Sequence, residues 1–149
     1  MQTFLPYPDF AASAAVLDPA RLGKQRIEAL TILRYVCGRY KHGGWRNHPA
    51  ILMWKGYEDA LRIYLWEMIR EWTRRGYRNT IRVRLPRTYA SGSTVMPWWL
   101  GDERLHSSHR AALLYKNYDW YSRFGWTEKP ALNYFWPVRS RTVPHPPDQ

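Results

Sequence analysis

Apolar residues recur along this chain at spacings of three and four, punctuated by proline and glycine, and the pattern predicts three main helices. Residues 1–15, aromatic and interrupted by Pro6 and Pro8, read as an extended lead-in. Asp18-Pro19 is a helix start: the carboxylate can accept from a free first-turn amide, and proline has no amide to leave unpaired. From there Leu22, Ala29, Leu30, Leu33, Val36 and Cys37 form one stripe, expected to end near Gly38, before Lys41-His42-Gly43-Gly44. Asn47-His48-Pro49 opens the longest run, Trp54, Tyr57, Leu61, Tyr64, Leu65, Met68 and Trp72, which only Glu58 breaks. It closes on Gly76 as a left-handed cap, with Arg74 and Arg75 complementing the helix dipole. Asp102 starts a third helix through Leu105, Ala112, Leu113, Lys116 and Trp120 to about Phe124.

Residues 77–100 carry no helical period. Ile81-Arg82-Val83-Arg84-Leu85 alternates like a strand but has no convincing partner strand, so it is read as an extended loop. After Gly125 the chain turns irregular and aromatic, and 137–149 is a basic, proline-rich tail. The expectation is a compact all-α domain over residues 1–136, three main helices joined by long aromatic loops. A chain of 149 residues can bury about 70% of its unfolded surface without a metal or disulfide staple.

Charge narrows the choice of partner. Twenty-three Lys and Arg against twelve Asp and Glu leave +11, spread along the chain. Nucleic acid is the leading partner, ahead of an acidic membrane surface or an acidic protein. Nine Trp and eleven Tyr fit that partner, because unstacked bases bind aromatic faces interleaved with Arg; more than half of these rings are nevertheless expected in the core. The single cysteine excludes an internal disulfide and a multi-cysteine zinc site, and Cys37 reads as a small buried hydrophobe. No apolar run approaches a membrane span, and MQTFLPYPDF lacks the features of a signal peptide. A cytoplasmic monomer with no obligate protein partner is expected.

The candidate chemistry lies in Arg21-Leu22-Gly23-Lys24-Gln25-Arg26-Ile27-Glu28. At about 100° per residue, Arg21, Lys24, Gln25 and Glu28 share one helix face, opposite Leu30 and Leu33. That face is either a solvated Lys24–Glu28 ion pair of a few tenths of a kcal/mol or an anion site with a catalytic carboxylate. Arg26 falls amid the apolar stripe and must be paired or reach out of the core; it could support the site from behind.

Leu17-Asp18…Leu22…Arg26-Ile27-Glu28 resembles the first helix of the pyrimidine-dimer DNA glycosylase/endonuclease V family of the phage type. Arg75-Gly76-Tyr77 and Trp120-Tyr121-Ser122-Arg123-Phe124-Gly125 resemble two further family motifs in the same order. The resemblance implies a DNA glycosylase with AP-lyase activity on a damaged or modified pyrimidine, without metal or cofactor. It implies that Glu28 is the catalytic carboxylate and that the N-terminal amine is the nucleophile, attacking C1′ to form a Schiff base. An α-amine suits that task, with an unperturbed pKa of about 8 against about 10.4 for lysine. Gln2 is bulky, so Met1 is expected to be retained and to supply the amine. Arg21, Lys24, Gln25, Arg26, Arg110 and Arg123 are the expected DNA contacts, and Trp120, Tyr121, Phe124 and Trp126 the rings expected near the opened duplex. His48, His106 and His109 are candidates for phosphate contact or proton relay. His106 and His109, three apart, lack the Cys or carboxylate partners of a metal site. The competing readings are a non-catalytic nucleic-acid-binding protein using the same surface, and a protein-interaction domain that has lost the chemistry.

Overall fold

Asp9 accepts from the Ala12 amide at 2.7 Å and starts a helix that the proline-spaced opening does not announce. The structure is a computed structural model and describes residues 1–40 and 43–138. Its helices are α1 (Phe10–Val16), α2 (Pro19–Val36), α3 (Pro49–Leu52), α4 (Glu58–Arg74), α5 (Thr88–Ser91), α6 (Glu103–Lys116) and α7 (Tyr118–Tyr121), followed by a 3₁₀ turn, Ser122–Phe124. No strand occurs among the described residues, so the fold is all-α as expected. The tail expected over 137–149 lies, from residue 139 onward, outside the described residues, as do Lys41 and His42.

Two of the expected helices are divided. His48 does cap a helix at Pro49, its Nδ1 accepting from the Ala50 amide at 3.0 Å, but that helix stops after one turn. Gly56, at φ +85°, takes a left-handed conformation that a helix cannot pass through, and α4 restarts at Glu58. The third run breaks at Asn117, whose backbone leaves the helical region and whose side chain caps α7. Gly76, at φ +92°, ends the α4 region as its sequence position suggests.

Helix α4 packs on both α2 and α1. Leu22, Ala29 and Ile32 of α2 and Leu61, Leu65 and Met68 of α4 are fully buried. Gly23 permits the close approach: a Cβ there would lie 2.9 Å from the Trp72 ring. Arg75 ties α1 to the end of α4, donating to the carbonyls of Leu17 at 2.7 Å and Ala15 at 3.1 Å. Cys37 corrects its expectation: it lies past the end of α2 and is exposed.

What the helices enclose is the chain's own N-terminus. Residues 2–6 are buried, and an extended segment inside a helical core has no neighbouring strand to take its backbone bonds. Side chains take them instead. The Phe4 amide donates to Gln25 Oε1 (2.9 Å), the Phe4 carbonyl accepts from the Tyr64 hydroxyl (2.9 Å), and the Leu5 amide donates to His109 Nδ1 (2.8 Å). His106 Nδ1 meets the Leu5 carbonyl at 2.7 Å, and Trp54 Nε1 donates to Thr3 Oγ1 at 3.0 Å.

Candidate active site

The N-terminal segment runs across the polar face of α2. Arg21, Lys24, Gln25 and Glu28 line one cleft of about 390 Å³ with Met1, Gln2, Phe4, Ala20, Lys116, Leu132 and Tyr134. Glu28 Oε2 accepts from the Gln2 amide at 3.1 Å and from Gln25 Nε2 at 3.2 Å. Its Oε1 lies 3.7 Å from Lys24 Nζ, whose side chain is 72% exposed while that of Glu28 is 18% exposed. The solvated Lys24–Glu28 pair is therefore present, but at such exposure it is worth at most about 1 kcal/mol. The Gln2 amide is the more informative partner, since it brings the chain's first residue to the carboxylate.

Gln25 is buried rather than presented to solvent. It holds the Gln2 carbonyl at 2.9 Å with Nε2, while its Oε1 takes the Phe4 amide and shares the single Tyr64 hydroxyl proton with the Phe4 carbonyl. Arg21 spans the rim, with Nη1 3.3 Å from Asp18. Tyr134 forms a wall, packed edge-on against Phe4 and His109. Burial, opposed by Arg21 and reinforced by Glu28, raises its phenol to about 12, so it stays a neutral donor near neutral pH.

His48 completes the surroundings. Its Nδ1 is occupied by the Ala50 amide, which leaves Nε2 to carry the proton. The ring contacts those of Trp45 and Trp136. Burial lowers its pKa, the N-terminal ammonium lowers it further, and Glu28 opposes both. His48 thus lies within electrostatic reach of both charges.

The other expected contacts are placed elsewhere. His106 and His109 are fully buried, so they correct the expectation of phosphate contact. Because His106 Nε2 accepts from the Gly101 amide at 2.9 Å, its Nδ1 carries the proton that goes to Leu5. Because His109 Nδ1 accepts from Leu5, its proton is on Nε2, an atom that is buried without a hydrogen-bond partner among the described residues. Desolvation and the neighbouring His106 lower His109 to about 3. Tyr121 is likewise interior: its hydroxyl donates to Asp18 Oδ1 and accepts from the Asp18 amide at 3.0 Å.

Arg110 is held by Glu103, by Glu128 at 3.0 Å and by the Pro6 carbonyl at 2.8 Å. Arg26 does not back the site. It lies over the Trp72 ring and donates to Asn79 Oδ1 at 2.6 Å, away from the cleft lining. Trp120 and Trp126 spend their indole N–H groups on the Val16 carbonyl and the Tyr7 hydroxyl, both half-buried. Arg123 is exposed and stacks on Trp120. None of Trp120, Tyr121, Phe124 or Trp126 lines the cleft. Lys116, Leu132 and Tyr134 do line it, and sequence reasoning missed them as site residues: Lys116 closes α6 and the other two follow the last helix, so none shares a helix with Glu28.

Met1 and one carboxylate, Glu28, share a cleft with Arg21, Lys24 and Lys116, a candidate site for work on an anionic polymer. A family model described as pyrimidine dimer DNA glycosylase matches residues 1–85, more than half of the 149 residues, and the chain belongs to that family. Membership makes DNA the substrate class and base excision the activity class. The match includes Met1, Gln25, Glu28 and His48; Lys116, Leu132 and Tyr134 lie beyond it. Searches of curated proteins and of solved structures returned no match. Among the described residues no helix is long and apolar enough to cross a membrane, and no three His, Cys, Asp or Glu side chains group as metal ligands would.

Proposed function

We propose that this protein is a monomeric DNA glycosylase with AP-lyase activity on damaged or modified pyrimidines, working through a Schiff base to the Met1 amine. The observation that carries the reading is the 3.1 Å hydrogen bond from the Gln2 amide to Glu28, which holds the N-terminus at the carboxylate in a basic cleft. The neutral amine attacks C1′ of the extruded nucleoside. The C1′–N bond breaks, its electron pair leaves with the base, and the base takes up a proton. The attached amine then loses a proton, the C1′–O4′ bond opens with protonation of O4′, and an iminium remains at C1′. Removal of a C2′ proton sends electrons into a C2′–C3′ double bond and expels the 3′-phosphate oxygen. Glu28, hydrogen-bonded to the Gln2 amide that follows the amine in the chain, takes and returns these protons and faces the cationic sugar. His48 is the second group for proton relay, its Nε2 left free by the Ala50 amide at Nδ1. Arg21, Lys24 and Lys116 hold the flanking phosphates, and Tyr134, Trp45 and Trp136 offer faces to the extruded nucleotide. Unstacking it costs a few kcal/mol, which such contacts offset.

Borohydride reduction tests this. With abasic duplex the iminium should be trapped as a covalent adduct mapping to Met1. Glu28→Gln should slow strand cleavage by about 10²–10⁴-fold with DNA affinity kept. An acetylated N-terminus should give no adduct. DNA binding without trapping or cleavage at any pH would select the non-catalytic binding protein instead.

A further inference from the structure

A second basic cleft, of about 240 Å³, lies away from the Glu28 site. Its cations are Arg34 from the last turn of α2, Arg39 from the turn beyond it, Arg62 from α4, and Arg82 and Arg84 from the loop between α4 and α5. Leu30, Leu33 and Val83 line it as well, and Cys37 sits at its edge with Sγ 3.6 Å from Arg62 Nη2. Leu30 and Leu33, which line it from within α2, come two and five residues after Glu28 and so lie about 200° and about 140° around the helix from it. The two clefts therefore open on opposite faces of α2.

Arg62 pairs with Asp59 at 3.1 Å. Among the described residues, no ion pair or side-chain hydrogen bond engages Arg34, Arg39, Arg82 or Arg84, all of which are exposed. Gathering four unpaired guanidiniums from separate segments raises the free energy through mutual repulsion, unless an anion sits among them. The carbonyl end of α2 accounts for a cation in its last turn, not for two more brought by residues 82 and 84. Those two alternate with Ile81, Val83 and Leu85, which pack on the core. This alternation turns Arg82 and Arg84, both exposed, to the outer side, a repeating pair suited to a repeating anion. Among the described residues no aromatic ring or acidic side chain lines the cleft, so those that do would neither stack on a base nor read its edge.

We propose that this cleft is a second DNA-backbone site, gripping phosphates of another stretch of DNA while the Glu28 cleft holds the first. Guanidiniums on an aliphatic floor fit backbone contact, which positions without reading sequence.

Cys37, the only cysteine of the chain, reports on this cleft directly. The test follows the alkylation rate of Cys37 by iodoacetamide in the full protein at low salt, with an undamaged duplex or with inorganic pyrophosphate. Duplex at about ten times its dissociation constant should slow alkylation about tenfold. The charge reversals Arg82→Glu with Arg84→Glu should abolish that protection, leave the melting temperature unchanged, and leave cleavage of a short abasic duplex at the parent rate. Reversal of Arg21 and Lys24 should retain the protection. The proposal fails if duplex leaves the rate unchanged, if protection is lost with Arg21 and Lys24 instead, or if pyrophosphate protects and duplex does not. Protection is read without any strand cleavage, so an inactive Glu28 site and an empty arginine cleft are separate results.

Discussion

Gln25 holds four partners at once: the Phe4 amide, the Tyr64 hydroxyl, the Gln2 carbonyl and Glu28 Oε2. A neutral amide can do this because it donates and accepts from one planar group, which an acid or base of the same length cannot. Replacing it with leucine preserves much of the volume but strands several buried polar groups. Gln25→Leu should lower stability by about 1–3 kcal/mol, visible as an earlier urea midpoint. It should also reduce single-turnover cleavage with DNA affinity nearly unchanged, because Gln25 is buried and no longer positions Glu28 or the N-terminal segment. Periodicity places Gln25 on the correct face of α2 but assigns it to DNA. The segment that covers that face comes from 20-odd positions earlier in the chain, and no local pattern reveals it.

At the level of elements, the site depends on how closely α4 approaches α2 beneath the N-terminal segment. Gly23 is where they meet, and the Trp72 ring that faces it is not free to move. That ring stacks on Tyr77 at 4.2 Å, lies under Arg26 and donates to the Arg78 carbonyl at 2.9 Å. Gly23→Ala would gain about 1 kcal/mol of helix propensity, but overpacking costs about 1–3 kcal/mol. The overlap at 2.9 Å puts this position toward the upper end. The variant should melt several degrees lower, by about 4–8 °C per kcal/mol in a domain near 100 residues and less in a larger one. Helix starts at Asp18-Pro19 and His48-Pro49 are legible because caps and prolines act locally. The break at Gly56 and the short α1 are not, since apolar spacing continues through the first and prolines obscure the second.

Across the whole molecule, the buried histidines make the N-terminal segment sensitive to acid. His109 titrates at about 3 when folded, against 6.5 for the ordinary imidazole. Between those values the unfolded chain binds the extra proton, so stability is whole above about pH 6.5 and falls as the pH drops toward 3. Protonation would also replace the acceptor for the Leu5 amide with a donor. His106, shifted downward by burial, adds to the same trend. His109→Asn keeps an acceptor and removes the titration, and urea midpoints of that variant should fall less steeply than those of the parent between pH 6.5 and 4.

The sequence alone determines the helical class, the principal helix starts, the basic character and the shared face of Arg21, Lys24, Gln25 and Glu28. These depend on period, capping and composition, which act over a few residues. Tertiary structure alone decides which polar residues meet solvent and which meet backbone. Burying an extended N-terminus obliges distant side chains to pair its amides and carbonyls. Gln25, Tyr64, His106 and His109 therefore bond the buried segment, and the cleft beside the α2 face gains Lys116 and Tyr134 from far along the chain.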